Sequence, residues 1–376
     1  MKTLPLVDFT CSLFKQVDLR NVYIFACQHL LEQTHYLFKS LYQFGLKASH
    51  ISVIGKCYST DYKSFCEMKN EGIDVCDSSI QFDSHISYDK QFSYHAKQFI
   101  ERKVEVIRKE KLSRIIVVDD GAEIINAFNE IALDVDNICA IEQTSSGFHK
   151  INSIKNLKFP CINLARSRAK LEFETPLVIN SVLLAIKKTI ILNHIENILI
   201  IGNGVLGSYL AQVLNNTHNV QALDIESNKS QITFLEAQNQ LRNYDAIIGC
   251  TGREHNFVMP KDLARLNKPL YLMSTSSSDR EFSACNFRML TEKTSNCHDD
   301  IQVGWIKLIS CGFPINFYKG YASEEGVEKF QLTRALIVAS VLQSMNYYTP
   351  GIIPLEEEIQ DKILAEYHKI YLNGNI

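Results

Sequence analysis

The sequence has 376 residues, enough for two domains, and its content of 46% hydrophobic and 22% charged residues is typical of a water-soluble globular protein. The formal net charge of -3 and the isoelectric point near 6.4 give no electrostatic basis for binding nucleic acid or an anionic membrane surface. We therefore expect neither of these among its partners.

The first half of the chain alternates between short apolar strands and helices. The segments that predict strands are NVYIFAC (21–27), HISVIGK (50–56) and RIIVVDD (114–120). A charged amphipathic helix, AKQFIERKVEVIRKEK (96–111), precedes the third of them. Because each strand ends at polar or small residues and leads into a helix, the pattern indicates a parallel sheet covered by helices.

A lysine and a glutamate, Lys170 and Glu174, lie four residues apart before a predicted helix at 175–192. Such a pair is usually a solvated helix face that contributes about 0.2–0.5 kcal/mol. The alternative is an amine and a carboxylate placed beside a substrate. The spacing alone leaves both readings open.

The second half begins with a strand, a glycine turn and a helix in NILIIGNGVLGSYLAQVLNN (197–216). Further strands are predicted in VQALDIE (220–226), DAIIGCTG (245–252) and KPLYLMSTSSS (268–278). An amphipathic helix at about 325–345 and a closing helix near 355–371 complete the chain.

The glycine turn has the pattern of a dinucleotide-binding site. Gly202, Gly204 and Gly207 match GxGxxG directly after an apolar strand and at the start of a helix. The first glycine permits the tight turn, the second lets the backbone approach a pyrophosphate, and the third lets helix and strand pack closely. We predict that this turn, including Val205 and Leu206, binds the phosphates of a dinucleotide at a helix N-terminus.

An acidic residue, Asp224, ends the next strand 17 residues past Gly207. Its carboxylate would accept hydrogen bonds from the adenosine ribose and repel a 2′-phosphate, so NAD is expected rather than NADP. The alternative is a glycine turn that binds no ligand.

The order of elements predicts an α/β protein in which a Rossmann-type NAD-binding domain is inserted in a split α/β substrate domain. The predicted divisions are residues 1–178, 179–322 and 323–376, with the last completing the substrate domain. The cleft between the two domains is the expected place for the chemistry.

The cysteines and the apolar runs favour a reducing, aqueous compartment. There are 11 cysteines without CxxC or CxxC…HxxxH spacing, which indicates free thiols and no metal site. The first residues lack the apolar core of a signal peptide, and the longest apolar run, 176–192, is interrupted by Asn180, Ser181, Lys187 and Lys188. We therefore expect a cytoplasmic protein without a membrane span.

Seven stretches carry a resemblance to a known family: CQHLLEQT (27–34), VDDGAEI (118–124), IEQTSSGFH (141–149), INLARSRAKLEFET (162–175), the glycine turn, STSSSDREF (274–282) and GFPINFYKG (312–320). In the same order they resemble motifs of the S-adenosylhomocysteine hydrolases, among them C-x-H-M-T-x-E-T, D-D-G-G-D and S-E-E-T-T-T-G-V-H. The order is kept over nearly the whole chain, which implies a common fold and ancestry.

The resemblance implies a mechanism that begins when bound NAD+ oxidises the 3′-hydroxyl of the substrate ribose. The C4′ proton and the 5′ thiol are then eliminated, water adds to the product, and NADH returns the hydride to the 3′ carbon. It implies catalytic roles for His29, Asp120, Lys170 and Glu174 and places Gln143 and Leu31 against the substrate. It also implies that the cofactor is contacted by a further set of residues. These are Thr144, Ser145, Ser146, Thr251, Gly252 and Asn316.

Departures from the family pattern cluster on the substrate side. They are Leu31 for threonine, Gln33 and Gln143 for glutamates, Glu174 for aspartate, Thr175 for asparagine, Ile179 for cysteine, and Ser277 and Ser323 for histidines. A glutamine can bond a hydroxyl but cannot act as a base. The resemblance with these departures therefore implies an NAD-dependent enzyme of the S-adenosylhomocysteine hydrolase type that oxidises a nucleoside-like or other hydroxyl-bearing small molecule, which need not be S-adenosylhomocysteine itself.

Two other functions are kept open. One is a conventional NAD oxidoreductase that releases NADH, and the other is a non-catalytic NAD-binding regulator. A D-2-hydroxyacid dehydrogenase would have a similar split layout, but the histidine motif and DDGAE argue against it. The family resemblance implies a homo-oligomer. In the family a C-terminal tail reaches into the cofactor site of a neighbouring subunit, and because this tail has no counterpart here, we expect NAD to be bound less tightly and to exchange.

Overall fold

The computed structural model describes residues 3–110, 112–131, 137–318 and 330–371. Ser323, at which the sequence departs from the family pattern, lies outside these ranges. The strands are β1 Val22–Gln28, β2 Ile51–Gly55, β3 Asp74–Val75, β4 Arg114–Asp119, β5 Ile138–Glu142, β6 Pro160–Asn163, β7 Asn197–Ile201, β8 Asn219–Leu223, β9 Ala246–Gly249, β10 Leu270–Ser274, β11 Ile301–Val303, β12 Ile306–Leu308 and β13 Gly351–Pro354.

The helices of the same ranges are α1 Pro5–Ser12, α2 Glu32–Ser40, α3 Tyr62–Asn70, α4 Tyr88–Ile107, α5 Glu123–Glu130, α6 Ser145–Asn152, α7 Thr175–Asn193, α8 Val205–Leu214, α9 Phe234–Asn239, α10 Ala284–Arg288, α11 Gln331–Gln343 and α12 Glu357–Tyr371. A single π-helical turn, Lys170–Glu174, leads directly into α7.

The chain forms two compact units. Unit 1 comprises Met1–Ile80, Phe92–Leu177 and Gly326–Ile376, and unit 2 comprises Gln81–Gln91 and Val178–Glu325. The α/β fold class predicted from the sequence is confirmed, with one unit inserted in the sequence of the other. The assignment of substrate to the first unit and cofactor to the second stays a prediction.

Unit 1 is built on a seven-stranded parallel sheet of order β13-β6-β5-β4-β1-β2-β3. Every residue of β1, β2, β4 and β5 is buried, as expected for strands covered by helices on both faces. The chain runs from β1 outward through β2 and β3, and then returns to the other side of β1 with β4. The carboxyl ends of β1 and β4 therefore flank a topological switch point, where open α/β sheets bind ligands.

The helix α11 differs from its prediction. The sequence pattern indicated an amphipathic helix at about 325–345, but every residue of Gln331–Gln343 is buried, and its apolar side chains lie in the core of unit 1. The reason is that α11 has no strongly polar face and its small Ala, Ser and Thr side chains let neighbours pack on all sides. The first predicted residues, 325–329, lie outside the described ranges.

Unit 2 contains a six-stranded sheet of order β11-β12-β10-β9-β7-β8. β7, β8, β9, β10 and β12 run parallel, and β11 pairs antiparallel with β12. After β8 the chain crosses back over β7 to form β9, so this sheet also has a switch point beside the carboxyl end of β7. This arrangement is a Rossmann-type fold.

A short segment distant in sequence, Gln81–Gln91, also belongs to unit 2, which the sequence did not predict. The fully buried Arg288 donates hydrogen bonds to the backbone oxygens of Ser84 (2.8 Å) and Ile86 (3.2 Å) and to Asp279 Oδ2 (2.5 Å). Asp279 also accepts a bond from the backbone N–H of Tyr88 (3.0 Å). A buried guanidinium with these partners fixes the segment.

The continuous helix Lys170–Asn193 has the length and the mean hydropathy, 1.6, of a membrane span, although the sequence was predicted to contain none. However, 44% of its most apolar window is buried within the protein, and Val182, Ala185, Ile186 and Ile190 lie in the core of unit 2. Core helices of soluble proteins meet the same criteria of length and hydropathy.

Candidate functional site

The glycine turn of unit 2 has the geometry that its sequence predicted. Gly202 has a φ of 98°, and a Cβ there would lie 2.8 Å from the carbonyl oxygen of Cys250. A Cβ on Gly207 would lie 1.8 Å from the carbonyl oxygen of Gly202. The first and third glycines therefore allow β7, β9 and α8 to approach one another closely.

Gly204 differs from these two glycines because a Cβ there would meet nothing within 4 Å. It is the N-cap of α8, and Val205 and Leu206 form the first turn with its unpaired backbone N–H groups. Val205 is 74% exposed. The packing of the protein does not require a glycine at this position. A glycine would be required if an anion lay close to the backbone at the helix N-terminus.

Asp224 follows β8 and is bonded to the glycine turn. Its Oδ1 accepts a hydrogen bond from Glu226 N (2.9 Å), and its Oδ2 accepts one from Asn203 N (2.6 Å). These backbone donors, with that of Glu226 the largest effect, lower the pKa of the carboxyl group. The turn therefore has a fixed negative charge on one side.

The loop after β9 contains two of the predicted cofactor residues, Thr251 and Gly252. Their backbone N–H groups donate to Oε1 of Glu281, at 2.7 and 2.8 Å. Ser276 Oγ donates to the same oxygen (2.6 Å), and His255 Nε2 lies 2.8 Å from Oε2. The fully buried Glu281 thus holds this loop, a role that the sequence analysis missed. Asn316, the remaining cofactor candidate in unit 2, is half-buried.

Unit 1 has a cluster of polar side chains at its own switch point. Gln28 ends β1 and is followed by His29, while Asp120 and Gln143 directly follow β4 and β5. Parallel strands bring these residues to the same edge of the sheet. The sequence predicted that His29, Asp120 and Gln143 share a site, and the structure brings them together.

His29 is mostly buried and hydrogen-bonded. Its Nδ1 lies 2.5 Å from Ser59 Oγ, and its Nε2 lies 3.6 Å from Asp120 Oδ2. Burial is the main reason that the pKa of His29 is lowered from 6.5 to about 4. The imidazole is therefore neutral at pH 7, and we assign the proton to Nε2, facing the carboxylate.

Asp120 is held as a carboxylate by two partners. Lys56 Nζ forms a short ion pair with Oδ1, and Gln143 Nε2 donates to Oδ2 at 2.5 Å. Burial is the largest single effect and would raise the pKa of Asp120, but the Lys56 ammonium, together with His29 and the hydrogen bonds from Lys56 and Gln143, holds that pKa well below its usual range. The same pairing raises the pKa of Lys56 despite its burial. The sequence analysis placed Lys56 at the end of a strand and did not include it in the site.

Lys170 and Glu174 form an ion pair, with Lys170 Nζ 3.0 Å from Glu174 Oε2. Their side chains are only 16% and 14% exposed, so the pair is not a solvated helix face. It occupies the π-helical turn before α7, a distortion that is frequent at functional sites.

Arg334, on α11, is a further member of the cluster that the sequence analysis did not identify. It is 6% exposed, and its Nη1 lies 3.5 Å from Gln28 Oε1. Gln28 Nε2 in turn lies 3.4 Å from Gln143 Oε1, which links Arg334 to Asp120 through two glutamines. We name the group Gln28, His29, Lys56, Asp120, Gln143, Lys170, Glu174 and Arg334 the polar cluster.

The other candidates in unit 1 lie close to the cluster in sequence. Thr144 is the N-cap of α6: its hydroxyl donates to Glu142 Oε1 (2.6 Å) and accepts from Gly147 N (2.9 Å). Ser145 and Ser146 are exposed in the first turn of that helix. Leu31 is half-buried and is the N-cap residue of α2.

A titration of His29 tests the electrostatics of the cluster. We expect an imidazole pKa near 4, measured by NMR of the ring resonances assigned with a His29→Gln variant. Because the unfolded state would bind a proton between pH 6.5 and about 4, His29 lowers stability as pH falls through this window, by about 3 kcal/mol in total. A measured pKa above 6.5 would contradict the assigned neutral, desolvated state.

The fold and the two sites define an α/β protein with a Rossmann-type unit and a second, polar switch-point site. No family model matches the sequence. The chain is 35% identical over 347 residues to two uncharacterized proteins of Mycobacterium tuberculosis, MT0113 of strain CDC 1551 and Rv0104 of strain H37Rv. The match covers 90% of this chain and 67% of each relative, and the chain belongs to their family.

Two solved structures show distant similarity. The dipicolinate synthase of Bacillus halodurans has a TM-score of 0.38 at 11% identity, over 88% of this chain and 99% of that chain. The 3-phosphoglycerate dehydrogenase of Entamoeba histolytica, bound to NAD+, has a TM-score of 0.36 at 9% identity, over 88% and 100%. Scores this low carry no functional argument.

Proposed function

We propose that this protein binds NAD at the glycine turn of unit 2 and oxidises a hydroxyl group of a small molecule held by the polar cluster of unit 1. The observation that carries the proposal is the contrast among the three glycines. Two of them are required by packing, whereas Gly204 faces open space at a helix N-terminus. That combination is the one that pyrophosphate binding requires.

The residues of unit 2 fit NAD. The first-turn N–H groups at Val205 and Leu206 would bind the pyrophosphate. Asp224 would accept hydrogen bonds from the ribose hydroxyls, and its negative charge would disfavour a 2′-phosphate. The preference for NAD over NADP follows from this charge.

The residues of unit 1 supply the proton chemistry. When bound, the oxidised nicotinamide accepts a hydride from a carbon that carries a hydroxyl group. In the ion pair with Glu174, 3.0 Å away, Lys170 is an ammonium, so it would first have to lose a proton, which the positive charge of bound NAD+ would favour. The neutral amine would then take the hydroxyl proton. Gln143 and Gln28 can bond substrate hydroxyls without acting as bases.

A more specific proposal is the reaction type of the S-adenosylhomocysteine hydrolases, in which elimination and addition of water follow oxidation. It is supported by the sequence resemblance around His29, Asp120 and Lys170.

The second candidate is a conventional oxidoreductase that releases NADH. It is favoured by one observation: neither His29, with its pKa near 4, nor Asp120, ion-paired with Lys56, is a protonated acid at pH 7. His29 and Asp120, the two residues that the resemblance assigns to proton transfer at the leaving group, would then not be able to protonate it. Accumulation of NADH would support this candidate, and turnover at constant NAD+ would support the hydrolase type. A non-catalytic NAD-binding regulator remains the third proposal.

The 11 cysteines of the described chain are all free thiols, which supports the proposed cytoplasmic location. The homo-oligomer implied by the family resemblance remains a proposal.

A Lys170→Met variant tests the catalytic part of the proposal. We expect substrate oxidation to fall by about 10²–10⁴-fold while NAD+ still binds, because the proton acceptor is lost. Absorbance at 340 nm and product mass spectrometry would follow the reaction with nucleosides, S-adenosylhomocysteine and polyols. Lys63→Met, whose side chain is 82% exposed in the wild type, is the matched control. Equal activity of both variants, or a cellular role that survives Lys170→Met, would contradict catalysis by this lysine.

A further inference from the structure

Among the described residues, Arg334 is the cation of the polar cluster that forms no ion pair within 4.0 Å, although the charges of Glu174 and Asp120 act on it from farther away. Lys56 is paired with Asp120, and Lys170 with Glu174. Arg334 has one hydrogen bond within the described ranges, the 3.5 Å contact to the neutral amide oxygen of Gln28. Its Nε is buried without a hydrogen-bond partner there.

Such an arginine is costly for a protein that only has to fold. A buried guanidinium presents five N–H donors, and each unpaired donor costs free energy. Arg288, for comparison, has Asp279 and three backbone oxygens as partners. The fully buried Arg114 also has two nitrogens without a partner, but it begins β4 and therefore lies at the opposite end of that strand from Asp120. Arg334 differs from Arg114 in its place, since it contacts Gln28 in the polar cluster, where its unpaired Nε–H could donate to a bound ligand.

The surroundings of Arg334 indicate the charge of that acceptor. The cluster contains three cations, Lys56, Lys170 and Arg334, and two carboxylates, and His29 is neutral. The sum is one positive charge. A single carboxylate would neutralise it, whereas a phosphate carries about two negative charges at neutral pH.

The remaining groups are suited to the rest of such a ligand. Gln28 and Gln143 can donate to or accept from hydroxyl groups. Lys170, Glu174 and His29 have side chains that are 16%, 14% and 20% exposed, so they form the more accessible part of the cluster. Arg334 lies deeper.

We propose that Arg334 binds a carboxylate of the substrate, so that the protein acts on a hydroxy acid or a carboxylate-bearing polyol. This inference rests on the proposed role of the cluster as the substrate site, but it does not depend on NAD binding by unit 2. The guanidinium would form a charge-assisted bidentate pair with the carboxylate.

The test compares three probes with one carbon skeleton: glycerate, glycerol 3-phosphate and glycerol. Binding to the full chain is measured by calorimetry and by the thermal unfolding midpoint, at constant ionic strength. We expect glycerate to bind and raise the midpoint, and glycerol to have no effect. Binding of glycerol 3-phosphate but not glycerate would overturn the carboxylate assignment, and so would absence of binding by all three.

Variants then locate the effect. Arg334→Gln should weaken glycerate binding by about 10- to 100-fold, since a hydrogen-bonded charge is lost. Its unliganded midpoint should equal or exceed that of the wild type, because an unpaired buried charge is removed. Arg334→Lys should recover part of the binding. Arg102→Gln, with a side chain that is 62% exposed in the wild type, is the control.

The outcomes separate the two proposals. Unchanged glycerate binding in Arg334→Gln, with a lower unliganded midpoint, would show that Arg334 is structural and overturn the inference. If Arg334→Gln fails to fold, Arg334→Lys and the wild-type comparison of glycerate with glycerol decide. NAD+ added to the same samples tests the cofactor site of unit 2. If glycerate raises the unfolding midpoint and NAD+ does not bind, the carboxylate site is supported and the proposed cofactor is contradicted.

Discussion

Alanine at Gly204 is expected to leave unit 2 folded and to weaken NAD+ binding by at least about tenfold, or about 1.4 kcal/mol. The added methyl group would point into open space in the protein alone, so stability should change by no more than about 0.5 kcal/mol. In the complex the same methyl group would occupy the space that the pyrophosphate needs.

Alanine at Gly207 is the matched comparison, because its Cβ would lie 1.8 Å from the carbonyl oxygen of Gly202. We expect a loss of about 3 kcal/mol or more of folding free energy, measured by urea denaturation, from this overpacking. If Gly204→Ala binds NAD+ as tightly as the wild type, or destabilises unit 2 as much as Gly207→Ala, the assignment of the turn is wrong.

Methionine at Lys56 is expected to destabilise the protein by about 3–5 kcal/mol at pH 7, because Asp120 would be left buried and uncompensated. The double variant Lys56→Met/Asp120→Leu should recover most of this loss. The wild-type pair contributes stability that is present above the unfolded pKa of the carboxyl, 3.8, and is lost as pH falls through its lowered folded pKa.

The pH dependence gives this prediction a second measurement. Without Lys56, burial would raise the pKa of Asp120 and favour the neutral acid, so the deficit relative to the wild type should shrink between pH 7 and pH 5. The exposed pair Lys69–Asp77, at 2.6 Å, is the control, and Lys69→Met should cost no more than about 1 kcal/mol. If Lys56→Met also lowered the free energy of unfolding by no more than about 1 kcal/mol, the buried Lys56–Asp120 pair would not stabilise the polar cluster.

The sequence alone predicted correctly those parts of the structure that depend on residues close together in the chain. The strand, turn and helix around Gly202–Gly207 follow from neighbouring residues, and so does the α/β order of elements. Lys170 and Glu174 were identified by their spacing, but only the structure shows that they are mostly buried.

The omissions have a common physical cause. Lys56, Arg334 and Glu281 act through contacts with segments far away in the chain, and no spacing pattern marks them. Lys56 could have been found from its position, since it follows β2 at the edge of the sheet where His29 follows β1. The buried α11 was mistaken for an amphipathic helix because its few polar residues were read as a solvent face.

NAD+ binding is the central claim, and isothermal titration of the purified full chain with NAD+ and with NADP+ measures it directly. We predict saturable binding of NAD+, weaker binding of NADP+ because of Asp224, and loss of affinity in Gly204→Ala. No heat of binding with either dinucleotide, for a protein shown to be folded by its thermal transition, would contradict the account.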